Sequence, residues 1–353
     1  SVLDVSENAE SRHSYEQWEW SGSSVIRFRF DQPTRFKALV SQARARRERS
    51  VTGSGHTLAM TAAASGMSPV AALSHRFGGL EGIRFIKQLD DANNGDNGAQ
   101  SIAEMAQGLS EIHAQVVASP RRYMMTAESD KLDSLVKQFE NVWVPETSDD
   151  AFKAFSLEKK HQQVKQMWVA NTQVNFCAKA FPTVPMDHDD AAALSVLGGF
   201  LRNGYLHTSI REKGGAYGGG ATHDSDNASF RFFSYRDPRL EETLDDFDVS
   251  IRWLLEEKHE WRMVEEAILG VVGSIDKPGS PAGEAKDAFY SELYGRTPER
   301  RQSFRQRVLE VSLQDLQRVG ETYLKPEQAS IVVISNQNVG QRCRDLGLEV
   351  KSL

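Results

Sequence analysis

The chain has 353 residues, a formal charge of −7 and only two cysteines. This length suits two domains, because a single hydrophobic core usually stops growing near 250–300 residues. The acidic balance argues against nucleic acid or an anionic membrane as the main partner, and it favours basic peptides. Two cysteines make no disulfide framework, so folding is expected without oxidation, and the compartment stays open.

No membrane span or leader is predicted from the sequence. The longest apolar runs, such as Ala191–Leu201, are shorter than the ~18–20 residues that a spanning helix needs. No charged segment followed by an apolar one opens the chain. We therefore expect a soluble protein with no membrane partner, whether cytoplasmic, organellar or periplasmic. The polar start without Met predicts a fragment of a longer protein.

Residues 1–150 are predicted to be mostly helical from their apolar spacing. The segment Gly53–Gly55 marks a break between two helices, and the composition of Asp90–Gly98 predicts a loop. The polar, proline-containing stretch Val144–Phe152 is a candidate linker. Helices are predicted at 32–47, from the break at Gly53–Gly55 to residue 64, and at 69–76, 82–89, 101–117 and 131–141. A short strand is predicted at 121–129.

Residues 151–353 alternate between strand and helix signals. The β-formers of Gln166–Pro182 predict one strand, and the acids Asp187–Asp190 are predicted to cap the helix that follows. A turn at His223–Asn227 joins a glycine-rich segment to the aromatic strand Ala228–Pro238, which predicts a hairpin. The remaining predicted elements are helices at 191–202, 240–258, 261–274, 282–293, 298–310 and 313–323, a strand at 329–336 and a small helix at 339–346.

The two parts repeat one pattern. Residues 98–139 and 312–347 each read as a long helix, a short strand, a turn and a small helix. This repetition predicts an α+β fold of two homologous domains, each of helices packed on a mostly antiparallel sheet. The first domain (1–150) would lack its N-terminal strands, and the second (151–353) would be complete.

The segment Arg211–Gly220, REKGGAYGGG, places five glycines around Tyr217, six residues after Arg211. It is no P-loop, because no Lys-Ser/Thr pair follows its glycines. It is no dinucleotide fingerprint either, because a helix precedes it and a strand follows. Glycines inside a strand often mark the approach of another backbone. We therefore predict a bare strand for an extended peptide, with Tyr217 offering a hydroxyl and Arg211 a cation. A glycine-rich hairpin with a packed tyrosine is the alternative.

Other candidate sites are weaker. None of the nine histidines belongs to a two-histidine zinc-peptidase motif, although His13 and His259 begin near matches. Asp90–Gly98 misses the calcium-loop spacing, and helix capping explains Asp187–Asp190 without a metal. No Ser-His-Asp or Cys-His set is evident. The sequence therefore predicts no metal site in this chain.

Two segments resemble a known family. Residues 204–247, GYLHTSIREKGGAYGGGATHDSDNASFRFFSYRDPRLEETLDDF, resemble the C-terminal half of the pitrilysin/insulinase family of inverted-zincin metallopeptidases. Residues 43–89, ARARRERSVTGSGHTLAMTAAASGMSPVAALSHRFGGLEGIRFIKQL, are similar to its presequence-protease branch. The resemblance implies four homologous domains that close around a chamber and cut unfolded peptides. This chain would be the back part of the third domain (1–150) and the whole fourth (151–353).

The same resemblance implies roles for individual residues. Zinc would be bound by an H-x-x-E-H motif in the N-terminal half, so that half is an expected partner and this chain alone is expected to be inactive. Arg211 and Tyr217 match the family's arginine and tyrosine, which hold the peptide and steady the carbonyl oxygen as it gains charge. The residues expected to leave room for the substrate backbone are Gly214, Gly215, Ala216, Gly218 and Gly219. Those that would shape the wall, or equally the core, are Phe230, Phe232 and Phe233. Two other interpretations stay open: a non-catalytic partner subunit, and a module that binds peptides by strand addition.

Overall fold

The computed structural model describes residues 29–119, 122–142 and 161–353. Its α-helices are α1 (Pro33–Ala64), α2 (Pro69–Gly78), α3 (Leu80–Asn94), α4 (Gly98–Ala118), α5 (Ser129–Val142), α6 (Ala191–Leu201), α7 (Glu241–Glu256), α8 (Trp261–Ile275), α9 (Pro281–Leu293), α10 (Pro298–Leu309), α11 (Leu313–Tyr323) and α12 (Gly340–Asp345). A π-helix spans Arg202–Lys213, and short 3₁₀ turns span Pro326–Gln328 and Gln337–Val339. Its strands are β1 (Lys165–Val169), β2 (Phe176–Pro182), β3 (Gly218–Asp224), β4 (Ser229–Tyr235), β5 (Ser330–Ser335) and β6 (Glu349–Ser352). None of the described helices is long and apolar enough to cross a membrane.

The chain divides into two compact units. The helical unit takes its described residues from within Ser1–Ser41, Leu89–Phe155 and Pro278–Gly295. The sheet unit is formed by Gln42–Gln88, Ser156–Lys277 and Arg296–Leu353. All six strands of the described residues lie in the sheet unit, so this unit carries the α+β architecture.

The strands form one mixed sheet in the order β3-β4-β2-β5-β1-β6. The pairs β3–β4, β4–β2 and β2–β5 are antiparallel, whereas β5–β1 and β1–β6 are parallel. Both β3 and β6 therefore lie at an edge. The predicted hairpin is confirmed, because β3 and β4 pair from Gly218 opposite Tyr235 to Asp224 opposite Ser229.

Helices cover both faces of this sheet. On one face, α6, α7, α8, α10 and α11 bury Phe181, Phe232 and Phe247 in a large core. On the other face, the second part of α1 and the residues of α2 and α3 pack on Trp168 and Phe176. A sheet covered on both faces needs nearly continuous apolar strands, which explains why every residue of β2 before Pro182 is buried.

Local sequence signals set several helix starts. Ser68, Ser280 and Thr297 each accept a hydrogen bond from the backbone N–H three residues on, and a proline follows each of them. A side-chain acceptor and a proline at the first helical position are typical N-terminal signals, because the first N–H groups have no partner inside the helix. The break predicted at Gly53–Gly55 is a kink inside α1, centred on Ser54 with φ −134° and ψ 27°.

Four local predictions were wrong. Residues 122–128 are neither strand nor helix, because no strand of the described residues pairs with them. Part of the predicted loop at 90–98 is helical, since α3 continues to Asn94. The single strand expected at 166–182 is two strands, β1 and β2, separated by a turn. The edge strand β6 was not predicted. The candidate linker Val144–Phe152 and the near match at His13 lie outside the described residues.

The predicted cap at Asp187–Asp190 is confirmed in its position but not in its hydrogen bond. Asp190 stands at the N-cap position of α6, but its side chain makes no capping hydrogen bond. Its carboxylate instead accepts from the Tyr323 hydroxyl at 2.7 Å and pairs with the Arg318 guanidinium at 2.7 Å. The Asp190 carboxylate therefore binds side chains of α11 instead of the free backbone N–H groups at the start of α6.

Candidate functional site

The helix α6 continues directly into the π-helix Arg202–Lys213. Long π-helical stretches are rare, and π-bulges are common at functional sites. Leu206 and Ile210 anchor this helix in the core of the sheet unit, where both are fully buried. Arg211 follows Ile210 on the exposed side, so the π-helix presents its guanidinium to solvent.

A sharp turn leads from the π-helix to β3. The N–H of Gly215 donates to the Arg211 carbonyl at 3.1 Å, and the N–H of Ala216 donates to the Ile210 carbonyl at 3.1 Å. Gly215 has φ +78°, a conformation that glycine adopts without steric cost. Ala216 is buried, so the chain leaves the turn with its next side chain, Tyr217, pointing outward.

The turn brings the two predicted catalytic residues together. The guanidinium carbon of Arg211 lies 5.9 Å from the centre of the Tyr217 ring, within cation–π range. Tyr217, the residue just before β3, is 65% exposed. In the part of the chain that the structure describes, Arg211 makes no ion pair with a carboxylate. An accessible cation and an accessible phenol hydroxyl therefore lie side by side.

Tyr217 is held from one side. Its backbone N–H donates to the Tyr235 carbonyl at 3.0 Å, and the two rings meet edge to face with centroids 5.4 Å apart. His56 and Phe176 pack on the other sides of the Tyr235 ring, at 4.7 and 5.9 Å between centroids. The Tyr217 ring thus rests on an aromatic group that is itself fixed by the sheet unit.

The glycines of the motif differ in what surrounds them. A Cβ on Gly214 would lie 2.1 Å from Arg239 Nη2, and one on Gly219 would lie 2.7 Å from Ile210 Cγ2. These two positions make room for the chain's own side chains. A Cβ on Gly218 would meet nothing within 4 Å, so this position faces open space.

The strand β3 is an edge of the sheet, with β4 as its neighbour. An edge strand has one row of backbone N–H and C=O groups that no strand of its own sheet pairs with, and an extended peptide can add to such an edge. The edge begins beside Tyr217. Backbone hydrogen bonds to a peptide and contacts from Arg211 and Tyr217 are therefore compatible in one place.

Arg239 supports the π-helix through hydrogen bonds, a role that was not predicted from the sequence. Its guanidinium donates to the Ser209 carbonyl at 3.2 Å and to Asp246 Oδ2 at 2.9 Å, and the Ser209 hydroxyl donates to Asp246 Oδ1 at 3.1 Å. The nearby Asp237 carboxyl is buried, and burial raises its pKa. The Asp237 carboxyl accepts hydrogen bonds from the backbone N–H of Arg239 at 2.9 Å and from the Thr243 hydroxyl at 2.8 Å. These contacts hold the segment between β4 and α7 against the π-helix, which contains Arg211.

The predicted wall residues split in role. Phe230 and Phe232 are fully buried in the core between the sheet and α7. Phe233 points to the opposite face and packs beside His56 at 5.5 Å. His259, the other near match to a zinc motif, lies 3.0 Å from the Trp253 carbonyl oxygen and packs edge to face on Phe200. Packing within the sheet unit therefore explains the contacts of the three phenylalanines and of His259.

Two family models match the chain. Residues 165–337 match the PreP C-terminal domain, and residues 6–89 match a peptidase-associated domain. The mitochondrial presequence protease of Yarrowia lipolytica is 33% identical over 299 residues, which cover 84% of this chain and 29% of that protein. The mitochondrial presequence protease of Saccharomyces cerevisiae is 29% identical over 343 residues, covering 93% and 33%. The chain belongs to the presequence-protease branch of the pitrilysin family.

This presequence-protease chain spans about a third of the length of the curated relatives that it matches. Solved structures agree on the fold. Pitrilysin superposes with a TM-score of 0.60 at 12% identity, covering 93% of this chain and 35% of that one. A protease from Helicobacter pylori superposes with a TM-score of 0.59 at 15% identity, covering 92% and 77%. The α+β fold class predicted from the sequence is therefore confirmed.

The resemblance to inverted-zincin metallopeptidases implies a zinc ion. Within residues 29–119, 122–142 and 161–353, no three His, Cys, Asp or Glu side chains are grouped as metal ligands would be. A zinc site with protein ligands needs at least three of them held together. The residues in these ranges do not fit such a site, so no chemical step is assigned to a metal on this chain.

Proposed function

We propose that this chain is the substrate-holding, C-terminal half of a zinc metalloendopeptidase that degrades unfolded peptides in a closed chamber. The observation that carries the proposal is the pairing of Arg211 with Tyr217. The guanidinium carbon lies 5.9 Å from the ring centre, and the ring is 65% exposed beside an edge strand. In the proposed enzyme, zinc is bound by the N-terminal half, which is the partner of this chain and lies outside it.

Arg211 and Tyr217 are proposed to stabilise the scissile carbonyl as it becomes negatively charged. A phenol O–H and guanidinium N–H groups are both donors, and donors positioned at a developing oxyanion contribute ~3–4 kcal/mol to lowering the barrier. Such donors act best when they need no rearrangement. The contact of Tyr217 with Tyr235 and the clamp of Arg239 on the π-helix supply that rigidity.

The edge strand is proposed to align the substrate. A peptide that adds to β3 must be extended, which selects unfolded chains over folded proteins. Gly218 faces open space, so a substrate backbone can approach the strand closely at that position. Gly214, Gly215, Ala216 and Gly219 act by shaping the turn and strand that carry this edge. The chain's charge of −7 favours basic peptides over acidic ones.

The domain assignment remains part of this proposal. Residues 1–150 are proposed to be the back of the third peptidase domain, and residues 151–353 the fourth. A peptide-binding module without cleavage is the second candidate, because β3 is an edge of the sheet that the described strands form, and an edge strand can capture extended chains by itself. The same edge in a non-catalytic partner subunit would bind peptides without turnover.

The test is Tyr217→Phe in the full-length protein. We expect turnover of an unfolded fluorogenic peptide to fall more than tenfold, because the oxyanion loses one donor. The zinc content, measured by metal analysis, is expected to stay the same. Tyr294→Phe makes the same chemical change at an exposed tyrosine of the helical unit and should keep wild-type turnover. Unchanged turnover in Tyr217→Phe would remove the proposed role, and peptide binding with no turnover in the wild type would favour the binding module.

A further inference from the structure

Arg236 directly follows Tyr235, the last residue of β4. Its guanidinium carbon lies 5.3 Å from the centre of the Tyr235 ring. Tyr235 in turn contacts Tyr217, and Tyr217 contacts Arg211. Each of the two tyrosines in contact therefore has a guanidinium beside its ring, and of these two arginines only Arg211 has a role in the proposed function.

The backbone holds Arg236 in an unusual conformation. Its φ is +51°, in the left-handed region that glycine adopts freely and that other residues adopt only under strain. The residues on both sides are pinned. The Tyr235 carbonyl accepts from the Tyr217 N–H at 3.0 Å, and Asp237 exchanges backbone hydrogen bonds of 2.8 and 2.9 Å with Asn175. Arg236 therefore protrudes between two fixed points, and its exposed side chain is held out from the sheet.

Arg236 lines a cavity of about 370 Å³ inside the sheet unit. The floor of this cavity is apolar, from Val174 and Phe176. Its polar lining comes from the hydroxyls and amides of Thr52, Asn171, Thr172 and Gln173, and Arg236 is the charged group among the lining residues. The cavity thus combines a cation, neutral hydrogen-bonding groups and an apolar base.

The cation has no carboxylate partner among the described residues. No Asp or Glu of the described chain forms an ion pair with Arg236, although ion pairs occupy many other arginines of the sheet unit. A guanidinium matches a carboxylate with two parallel N–H···O bonds, and such charge-assisted pairs are about twice as strong as neutral hydrogen bonds. An exposed arginine in a strained backbone position, beside a largely apolar cavity with a few neutral polar residues, is therefore suited to an anion that arrives from outside.

We propose that Arg236 and this cavity form a subsite for a carboxylate of the bound peptide. The carboxylate belongs either to an acidic side chain or to the peptide's C-terminus. The subsite deepens the proposed peptidase function and rests on it. Arg236 and the Tyr217 ring both contact the Tyr235 ring, so their separation is at most about three residues of extended chain at roughly 3.3 Å each. The subsite therefore acts on a residue close to the one that Arg211 and Tyr217 hold.

The physical consequence is selection of register. The chain as a whole is acidic and disfavours acidic peptides at long range. Arg236 is a second cation, besides Arg211, without a carboxylate partner among the described residues, and it rewards one carboxylate at one position near the proposed catalytic residues. A mostly basic peptide that carries one carboxylate would be placed with that group on Arg236, and the cleaved bond would be fixed by it.

The experiment uses the full-length protein and pairs of otherwise neutral peptides. One arm compares Glu with Gln at each position within four residues of the cleaved bond, and the other compares a C-terminal carboxylate with a C-terminal amide. We expect kcat/KM of the wild type to favour the carboxylate member about tenfold at one position or at the C-terminus. Arg236→Gln is expected to bring that ratio to about one, and Arg236→Lys to keep part of it.

Two further variants separate this role from a structural one. Arg236→Gly relieves the left-handed backbone, so its Tm is expected to equal or exceed that of the wild type while the carboxylate preference is lost. Arg262→Gln removes an exposed charge on α8 and should leave the preference unchanged. Tyr217→Phe should slow both members of every pair equally, so loss of the proposed catalytic role and loss of the subsite give different results. A wild type without preference in either arm, or a preference that persists in Arg236→Gln, would overturn the inference.

Discussion

Tyr217 and Tyr235 are joined twice, by a backbone hydrogen bond of 3.0 Å and by an edge-to-face ring contact of 5.4 Å. The hydrogen bond belongs to the start of the β3–β4 hairpin, so the register of the hairpin decides where the Tyr217 hydroxyl stands. Tyr235 is therefore a positioning residue for Tyr217. It carries the ring on which Tyr217 rests, and it belongs to a strand that is paired on both sides.

Replacing Tyr235 by Leu removes the aromatic support of Tyr217 and is expected to lower kcat about tenfold, with a smaller change in KM. An edge-to-face pair contributes about 0.5–1.5 kcal/mol beyond the area that it buries, and its loss frees the Tyr217 ring to move. Steady-state kinetics of the full-length protein on one unfolded peptide measure this effect. Tyr235→Phe keeps the ring and should restore most of the turnover.

A double variant tests whether Tyr235 acts through Tyr217. If it does, Tyr235→Leu should add little to the loss already caused by Tyr217→Phe, because residues that act as a unit are not additive. Fully multiplicative losses in the double variant would show that Tyr235 affects turnover by another route.

The glycines of β3 give a matched pair of variants. Gly219→Ala places a Cβ 2.7 Å from Cγ2 of Ile210, whose side chain is fully buried. Overpacking of this kind lowers the unfolding free energy by about 1–3 kcal/mol. Gly218→Ala meets nothing within 4 Å, so stability should be kept or slightly raised. If a peptide lies along this edge, Gly218→Ala should raise KM severalfold. Thermal melting and peptide kinetics separate the two effects, and an unchanged KM in Gly218→Ala would argue against close approach of the substrate at this position.

The local elements around the candidate site could be predicted because their signals are local. Glycines, a short polar turn and alternating aromatic residues specify the hairpin of β3 and β4. The spacing from Arg211 to Tyr217 crosses one helix end and one turn, so a local signal brings the two side chains near each other, and Tyr235 then positions the Tyr217 ring. The failed strand at 122–128 had the composition of a strand, but strands exist only where a partner pairs with them.

The rest depends on partners far along the chain. That β3 is an edge follows from the order of all six strands, which no single segment encodes. The acids before α6 read as a cap, yet Asp190 pairs with Arg318 and Tyr323, which lie on α11. The left-handed conformation of Arg236 depends on hydrogen bonds to Tyr217 and Asn175. An arginine gives no local sign of such a conformation, so the second cation of the site was not found from sequence.

Two histidines, the buried His75 and the half-buried His223, make the stability of the sheet unit depend on pH. Burial lowers the pKa of His75 to about 4, and it lowers the pKa of His223 to about 4 as well. His75 packs against the Trp168 ring, and the ring nitrogens of His223 lie 3.3 Å from Ser195 Oγ and 3.2 Å from the Val184 carbonyl oxygen. In the unfolded chain both imidazoles take up a proton near pH 6.5, whereas in the folded chain they stay neutral until about pH 4. Their contribution to stability is therefore complete above pH 6.5 and is lost as the pH falls toward 4.

The expected size follows from proton linkage. Each histidine that protonates only in the unfolded state lowers the unfolding free energy by about 1.4 kcal/mol per pH unit, or about 2 kcal/mol between pH 7 and pH 5. Denaturant unfolding of the full-length protein at a series of pH values measures this slope. In His75→Gln and in His223→Gln, the slope of the unfolding free energy against pH over this window should correspond to about one proton fewer than in the wild type. In the double variant it should correspond to about two fewer. Carboxylates titrate mainly below this window, so they do not obscure the difference. A pH slope that is the same in the wild type and the double variant would show that the native state accepts these protons as readily as the unfolded chain.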